Sequence, residues 1–442
     1  MNYLYNFFFV DKSYQNIHTE KLLNFLVALL FSIFLYELGK ILKPLLNVKF
    51  NSTGIVIFLL SFYIFDKSFL IVSRFIPFKY SFVIVLIGWI LFIIRKNIQN
   101  LSNLTTLLFS YIISFSSLNI FNRFLTLSEE NFLTSDERYF WLPVSKNIYE
   151  YNLFESLVNS PLPSYGLLIG HMNAVLNQLF SYSENFLYFP AYKNLFFFLT
   201  IFLIFELPVG KVTKFVSSSI ITVIVLTSDW FTYLFFNSLL AESISSYFFG
   251  VLFIELIKNK EKLNKSLVLC LGFLYFSKQF ISLFAILYGL YYLLIEKKSK
   301  FFYGLILYGI IIDFINSLFL KIPITWRMYT DSFRSDATTG EGGINLKNIL
   351  NIIQQFLIDR PVTYFIFITF LISLFIVWNF GFYERESLFL ILLNTVFVFM
   401  LYIFIWTNVE YESSYRYLLN IFHVILLFFV TTLNNFLILS KK

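Results

Sequence analysis

One cysteine, Cys270, serves all 442 residues and falls inside an apolar run, so the chain has no disulfide framework and no thiolate cluster for a metal. Redox chemistry is not expected. Histidine is nearly as scarce: His18, His171 and His423 are dispersed and make no ligand spacing. Charged residues amount to 13% against 58% hydrophobic, too little polar surface for an ordinary soluble globule. Met1–Val10 lacks a basic leader and a small-residue cleavage pattern, so no cleavable signal peptide is expected and the first span is expected to act as the targeting signal.

What the chain has instead is apolar runs near the roughly 20 residues needed to cross a bilayer, recurring from Leu22 to Leu439. They are continuous rather than alternating, and lipid offers no partners to open backbone groups, so helices are expected and a barrel is not. The expected fold class is all-α, a single polytopic domain over 1–442 with about 11–13 spans. Expected spans lie near Leu22–Leu42, Gly54–Ile71, Tyr80–Ile94, Leu101–Phe121, Phe186–Phe205, Phe215–Leu226 and Trp230–Ile257. They continue at Leu267–Leu294, Phe302–Leu320, Val362–Trp378, Leu388–Trp406 and Tyr417–Leu437. Leu267–Leu294 has basic flanks at both ends and reads as two short segments broken near Lys278 and Gln279. The 61 phenylalanines and 29 tyrosines are read mainly as the mark of an AT-rich coding sequence.

Basic residues set the orientation, because short cytoplasmic loops collect lysine and arginine. Lys40, Lys43 and Lys49, Arg95 and Lys96, Lys211 and Lys214, the hairpin Lys258–Lys265, Lys297–Lys300, Arg385 and the terminal Lys441 and Lys442 are all assigned inside. The net charge of +7 is thus cytoplasmic anchoring, and no nucleic-acid partner is expected. Three polar stretches then fall outside: a first large loop over 122–185, a second over 321–361, and the Thr407–Arg416 link. In the first loop Trp141, Pro143, Ile148, Tyr151, Phe154 and Leu157 suggest short helices in the headgroup plane. Gly166–Phe180 repeats the pattern, with His171 among its polar positions.

Within that first loop, Asp136 and Glu137 open the run Asp136-Glu137-Arg138-Tyr139-Phe140-Trp141-Leu142-Pro143, followed by Lys146 and Tyr149. Such an outward acidic pair with an aromatic interfacial segment resembles the first external loop of GT-C glycosyltransferases, in the branch of the protein O-mannosyltransferases and lipid A aminoarabinose transferases. Leu240-Ala241-Glu242 within a span, Gly272 ahead of Lys278, and Ser414-Tyr415-Arg416-Tyr417 at the last span add to the resemblance. Four spans precede the motif here, whereas family members commonly place it after the first.

The resemblance implies transfer of a sugar from a polyprenyl-phosphate donor to a glycolipid, surface glycan or protein acceptor on the outer face of a bacterial inner membrane. Asp136 is then the expected general base and Glu137 a second acidic group at the reaction centre, diverging from it in direction because neighbouring side chains do not share a face. The leaving phosphate needs cationic donors, for which Arg416, Lys278, Arg138 and Arg327 are the candidates. Glu242, Lys146, His171 and Tyr415 are the expected substrate-binding residues. No metal site is assigned; a divalent cation suits phosphate chemistry, but two carboxylates are too few ligands to argue for one.

Plainer roles fit the same residues. Asp136 and Glu137 also suit a solvated loop or a helix cap, Lys278 can snorkel to headgroups, and Arg416 can pair with Glu410 or Glu412. Gly340-Glu341-Gly342-Gly343 lacks the lysine and context of a phosphate-binding loop. A flippase or transporter of lipid-linked sugars, or an oligosaccharide polymerase or ligase, remains the alternative function; the chain shows no internal repeat of the transporter kind.

Overall fold

Every element among the described residues is a helix. The computed structural model describes 142–150, 198–227, 241–259, 361–380 and 422–439 continuously, and single residues within 29–39, 80–91, 269–286 and 304–318. The elements are α1 (Leu142–Glu150), α2 (Lys211–Thr227), α3 (Ala241–Asn259), α4 (Pro361–Phe380) and α5 (Phe422–Leu439), with helical residues also at 198–206. α2 to α5 and 198–206 overlap spans expected from the apolar runs, whereas α1 lies in the stretch 122–185 where short helices were expected. The expected spans at Gly54–Ile71, Leu101–Phe121 and Leu388–Trp406 lie outside the described residues, as does the expected break near Lys278.

By chain contacts the protein forms two compact units. The first comprises Met1–Phe202, Ser219–Ala241 and Tyr308–Ile322; the second comprises Leu203–Ser218, Glu242–Leu307 and Pro323–Lys442. In the first unit, α1 carries Pro143 in its opening turn, where a missing N–H costs nothing. Val144, Ser145 and Ile148 of α1 are buried at helical spacing and Glu150 is exposed.

The second unit is organised around α3 and α5. Ser246 meets His423, Gly250 lies against His423 and Leu427, and Phe253 stacks edge-on to Phe428 at 6.4 Å. Both residue numbers rise together along the contact, so the two helices run parallel. Gly250 sets how close they come: a Cβ built there would sit 2.9 Å from the His423 Cβ and 3.3 Å from Leu203 and Leu427. α4 packs against α5 as well, with Phe370 6.3 Å from Phe428.

Asn434, near the far end of α5, fixes the start of α2. Its Oδ1 accepts the Gly210 backbone N–H at 3.1 Å and the Thr213 hydroxyl at 3.2 Å. The helical residues before this turn end in a Leu207 N–H to Ile204 carbonyl bond, and Lys214 Nζ reaches back to the Phe205 carbonyl at 2.6 Å, serving a carbonyl that has no partner in its own helix. Pro208 follows the helix end, where it cannot continue the ladder. Asn434→Ala removes the acceptor of two donors and is expected to destabilise the purified protein by roughly 1–2 kcal/mol, the scale of interhelical hydrogen bonds in membrane proteins. Heating in detergent with a thiol-reactive dye measures this, since the sole thiol, Cys270, is buried and becomes reactive on unfolding. An unchanged midpoint would show that the Asn434 cap contributes nothing.

On α2, on α4 and at 304–318 the exposed side chains are mostly apolar. On α4, Ile368, Leu371, Ile372, Phe375 and Trp378 are exposed, Phe375 at 71% and Trp378 at 89%, while Thr369 and Ser373 are buried. On α2 the exposed face is Val212, Phe215, Val216 and Ile220. Leu307, Ile310, Ile311, Phe314 and Leu318 are exposed at helical spacing. Inside lie Ser245, Ser246, Glu255, His423, Thr431, Thr432 and Asn434. Hydroxyls return to their own helix: Ser373 donates to the Thr369 carbonyl and Thr431 to the Leu427 carbonyl, both at 2.7 Å. Among the described residues, α5 is the one helix long and apolar enough to cross a membrane by itself, and over half of it is buried; shorter apolar stretches are Ser245–Glu255 and Ile368–Asn379.

Candidate functional site

Two ends of the second unit differ in chemistry. Asn434 joins the last third of α5 to the start of α2, where Lys211 and Lys214 stand. Because α3 runs parallel to α5, its final turn, with Lys258, points toward that same end. The opposite end carries the first turn of α3, with Glu242, and the first turn of α5. Lys211, Lys214 and Lys258 thus share the end of the second unit opposite Glu242.

One turn along α3 from Glu242, Ser246 makes the principal polar link of this end. Its Oγ is 2.7 Å from His423 Nδ1 and accepts the His423 backbone N–H at 3.2 Å. A side chain of one helix thus accepts from the backbone of the next. Ser246 is 1% exposed and His423 fully buried. Rings pack around the pair: Tyr247 stands edge-on to His423 at 6.2 Å and Phe422 at 5.4 Å. A polar contact buried from solvent has little competition, which makes it a precise spacer between the two helices.

Of the residues singled out in the sequence, Lys146 is described with its side chain: it lies on α1, half-buried, beside the buried Ser145. The Ser145 hydroxyl has no hydrogen-bond partner. Glu242 is placed on the first turn of α3, and its side chain lies outside the described residues. Asp136, Glu137, Arg138, His171, Lys278, Arg327, Tyr415 and Arg416 also lie outside them. Lys146 belongs to the first unit and Glu242 to the second. Among the described residues no three His, Cys, Asp or Glu side chains gather as metal ligands.

The Ser246–His423 pair was not anticipated, because His423 was weighed only for metal-ligand spacing. A signal was available: a histidine in an otherwise apolar expected span needs a partner, and intramembrane polar groups mark functional positions by default. No protein-family model, curated protein or solved structure matches this chain.

Proposed function

We propose that the chain is a polytopic membrane glycosyltransferase of GT-C type that moves a sugar from a polyprenyl-phosphate donor to a glycolipid, surface glycan or protein acceptor outside the plasma membrane. The observation that supports the membrane part is the set of large apolar side chains exposed at helical spacing on α2, α4 and 304–318, a surface that in water marks an interaction or membrane-facing site. Lipid is the solvent that suits such a surface.

The catalytic part rests on the acidic motif and on the polarity of the second unit. Glu242 and the start of α5, six residues after Arg416, share the end opposite the basic turns. In the proposed reaction Asp136 takes the proton of the acceptor hydroxyl as its oxygen attacks the anomeric carbon. The bond from that carbon to the phosphate oxygen breaks, and the lipid phosphate leaves with the electron pair toward the cationic candidates, Arg416 first. Anomeric configuration inverts in this single displacement. Glu137, Glu242, Lys146, His171 and Tyr415 hold the sugar and acceptor.

The test is a transfer assay in membranes containing the chain, supplied with radiolabelled polyprenyl-phosphate sugars one at a time. Label moving into an acid-stable glycan or glycolipid, and only when the chain is present, is the expected result. Donor crossing the bilayer with no new glycosidic bond would replace the proposal with a flippase, and growth of a lipid-linked oligosaccharide by whole units would replace it with a polymerase.

A further inference from the structure

The Asn434 cap fixes the first turn of α2, and that turn carries Lys211 and Lys214, the only charged residues between Leu207 and Thr227. Thr213 turns to Asn434 and Ser217 is buried, whereas Lys211, Val212, Phe215 and Val216 are exposed, Val212 at 77% and Phe215 at 69%. Exposed Phe205 lies beside them, because its carbonyl accepts the Lys214 Nζ at 2.6 Å. Resting on the reading of the chain as a membrane protein, we infer that this surface of the second unit seats an anionic phospholipid. Its phosphate lies on the ammonium groups of Lys211 and Lys214, and an acyl chain runs along Val212, Phe215 and Val216.

Charge and apolar surface together select that occupant. Lys211 and Lys214 are three residues apart on α2 and share a face, and Phe215 follows Lys211 by four on the same face. The cations therefore stand at the start of the helix with an apolar ring one turn on, about 6 Å along the axis. A phospholipid presents its phosphate and hydrocarbon in that order. The bond to the Phe205 carbonyl holds the Lys214 ammonium at this surface and uses one of its three donors. Cations held near a bilayer surface favour acidic lipids over zwitterionic ones. Free phosphate would suit the lysines but leave Val212, Phe215 and Val216 uncovered. A second copy of the chain, docking through the same face, would cover them but set like charges against each other.

The experiment titrates dioleoylphosphatidylglycerol into the full chain in a neutral detergent and reads the temperature at which the buried Cys270 thiol becomes reactive. The midpoint is expected to rise with this lipid and to stay in place with dioleoylphosphatidylcholine or with inorganic phosphate. Lys211→Gln changes an exposed side chain and is expected to raise the lipid mole fraction for half the shift roughly fivefold, the factor corresponding to about 1 kcal/mol per lysine. Adding Lys214→Gln, which keeps a donor for the Phe205 carbonyl, is expected to bring the factor to roughly thirtyfold. Lys297→Gln with Lys298→Gln removes the same charge elsewhere and is expected to leave the titration unchanged. Equal shifts with both lipids, an equal loss in the Lys297 and Lys298 variant, or a shift with phosphate alone would overturn the inference. So would a midpoint that follows protein concentration and ignores lipid, which would put a second copy on this face. Release of the chain from membranes by alkaline carbonate would reject the membrane reading itself, whereas a retained chain without preference for the anionic lipid would reject the lipid site alone.

Discussion

Asp136→Asn is expected to abolish sugar transfer while the protein accumulates in the membrane at its normal level. Asparagine keeps the size and polarity of the side chain and removes the basic oxygen. General-base assistance in such steps is worth about 100- to 10,000-fold, so the variant should retain at most a percent or so of the parent rate. The comparison with Glu137→Gln sharpens the assignment. Adjacent side chains diverge in direction, so only one of the two can reach the acceptor hydroxyl in line with the anomeric carbon. Loss confined to the Asp136 variant identifies the base, and full activity in that variant would reject Asp136 as the base and return the acidic pair to the role of solvated loop charges. Rates are measured in the donor assay at saturating acceptor, with membrane level checked by quantitative immunoblot.

Gly250→Ala is expected to be the most damaging single methyl in the described helices. The added Cβ would meet the His423 Cβ at 2.9 Å, and both atoms are fixed to helix backbones that no rotamer change can move. The helices must separate, which strains or breaks the Ser246–His423 bonds one turn away and opens contacts to Leu203 and Leu427. Overpacking of this kind costs roughly 1–3 kcal/mol. Gly210→Ala is the matched control, since a Cβ there meets only Asn434 Oδ1 at 3.6 Å and Thr213 Oγ1 at 3.8 Å, ordinary contact distances. Thermal exposure of the Cys270 thiol in detergent should therefore shift to clearly lower temperature for the first variant and stay in place for the second. Equal midpoints would mean that α3 and α5 are not in close contact at Gly250.

Part of the helical architecture was legible in the sequence because long continuous apolar runs without alternation favour helices. The run from Val362 to Trp378 reads directly as a helix, and α4 spans Pro361–Phe380. α5 likewise covers most of the run expected from Tyr417 to Leu437. Lysine placement in short loops assigned Lys211, Lys214 and Lys258 to one side; within the second unit the Ser246–His423, Gly250–Leu427 and Asn434–Gly210 contacts bring the start of α2 and the last turn of α3 to one end.

What escaped was everything that depends on two helices meeting. Gly250 is one glycine among 15, and its meaning lies in the atoms it faces on a helix more than 170 residues away in the chain. In the sequence Asn434 is one polar residue near the end of an apolar run, and Ser246 one of three serines in Ser243–Ser246. Periodicity reports which face a residue occupies but not its neighbour across the interface. The acidic motif itself, read from Asp136 to Pro143, has only its last two residues, Leu142 and Pro143, within a described helix, α1.

Orientation of Ser135, beside the acidic pair, decides the matter most directly. In intact cells, a thiol introduced by Ser135→Cys, in a chain carrying Cys270→Ala, should react with a membrane-impermeant maleimide added outside, and no more after the cells are opened. Labelling that appears only on opening the cells would place the acidic pair in the cytosol and contradict an outward-facing transferase.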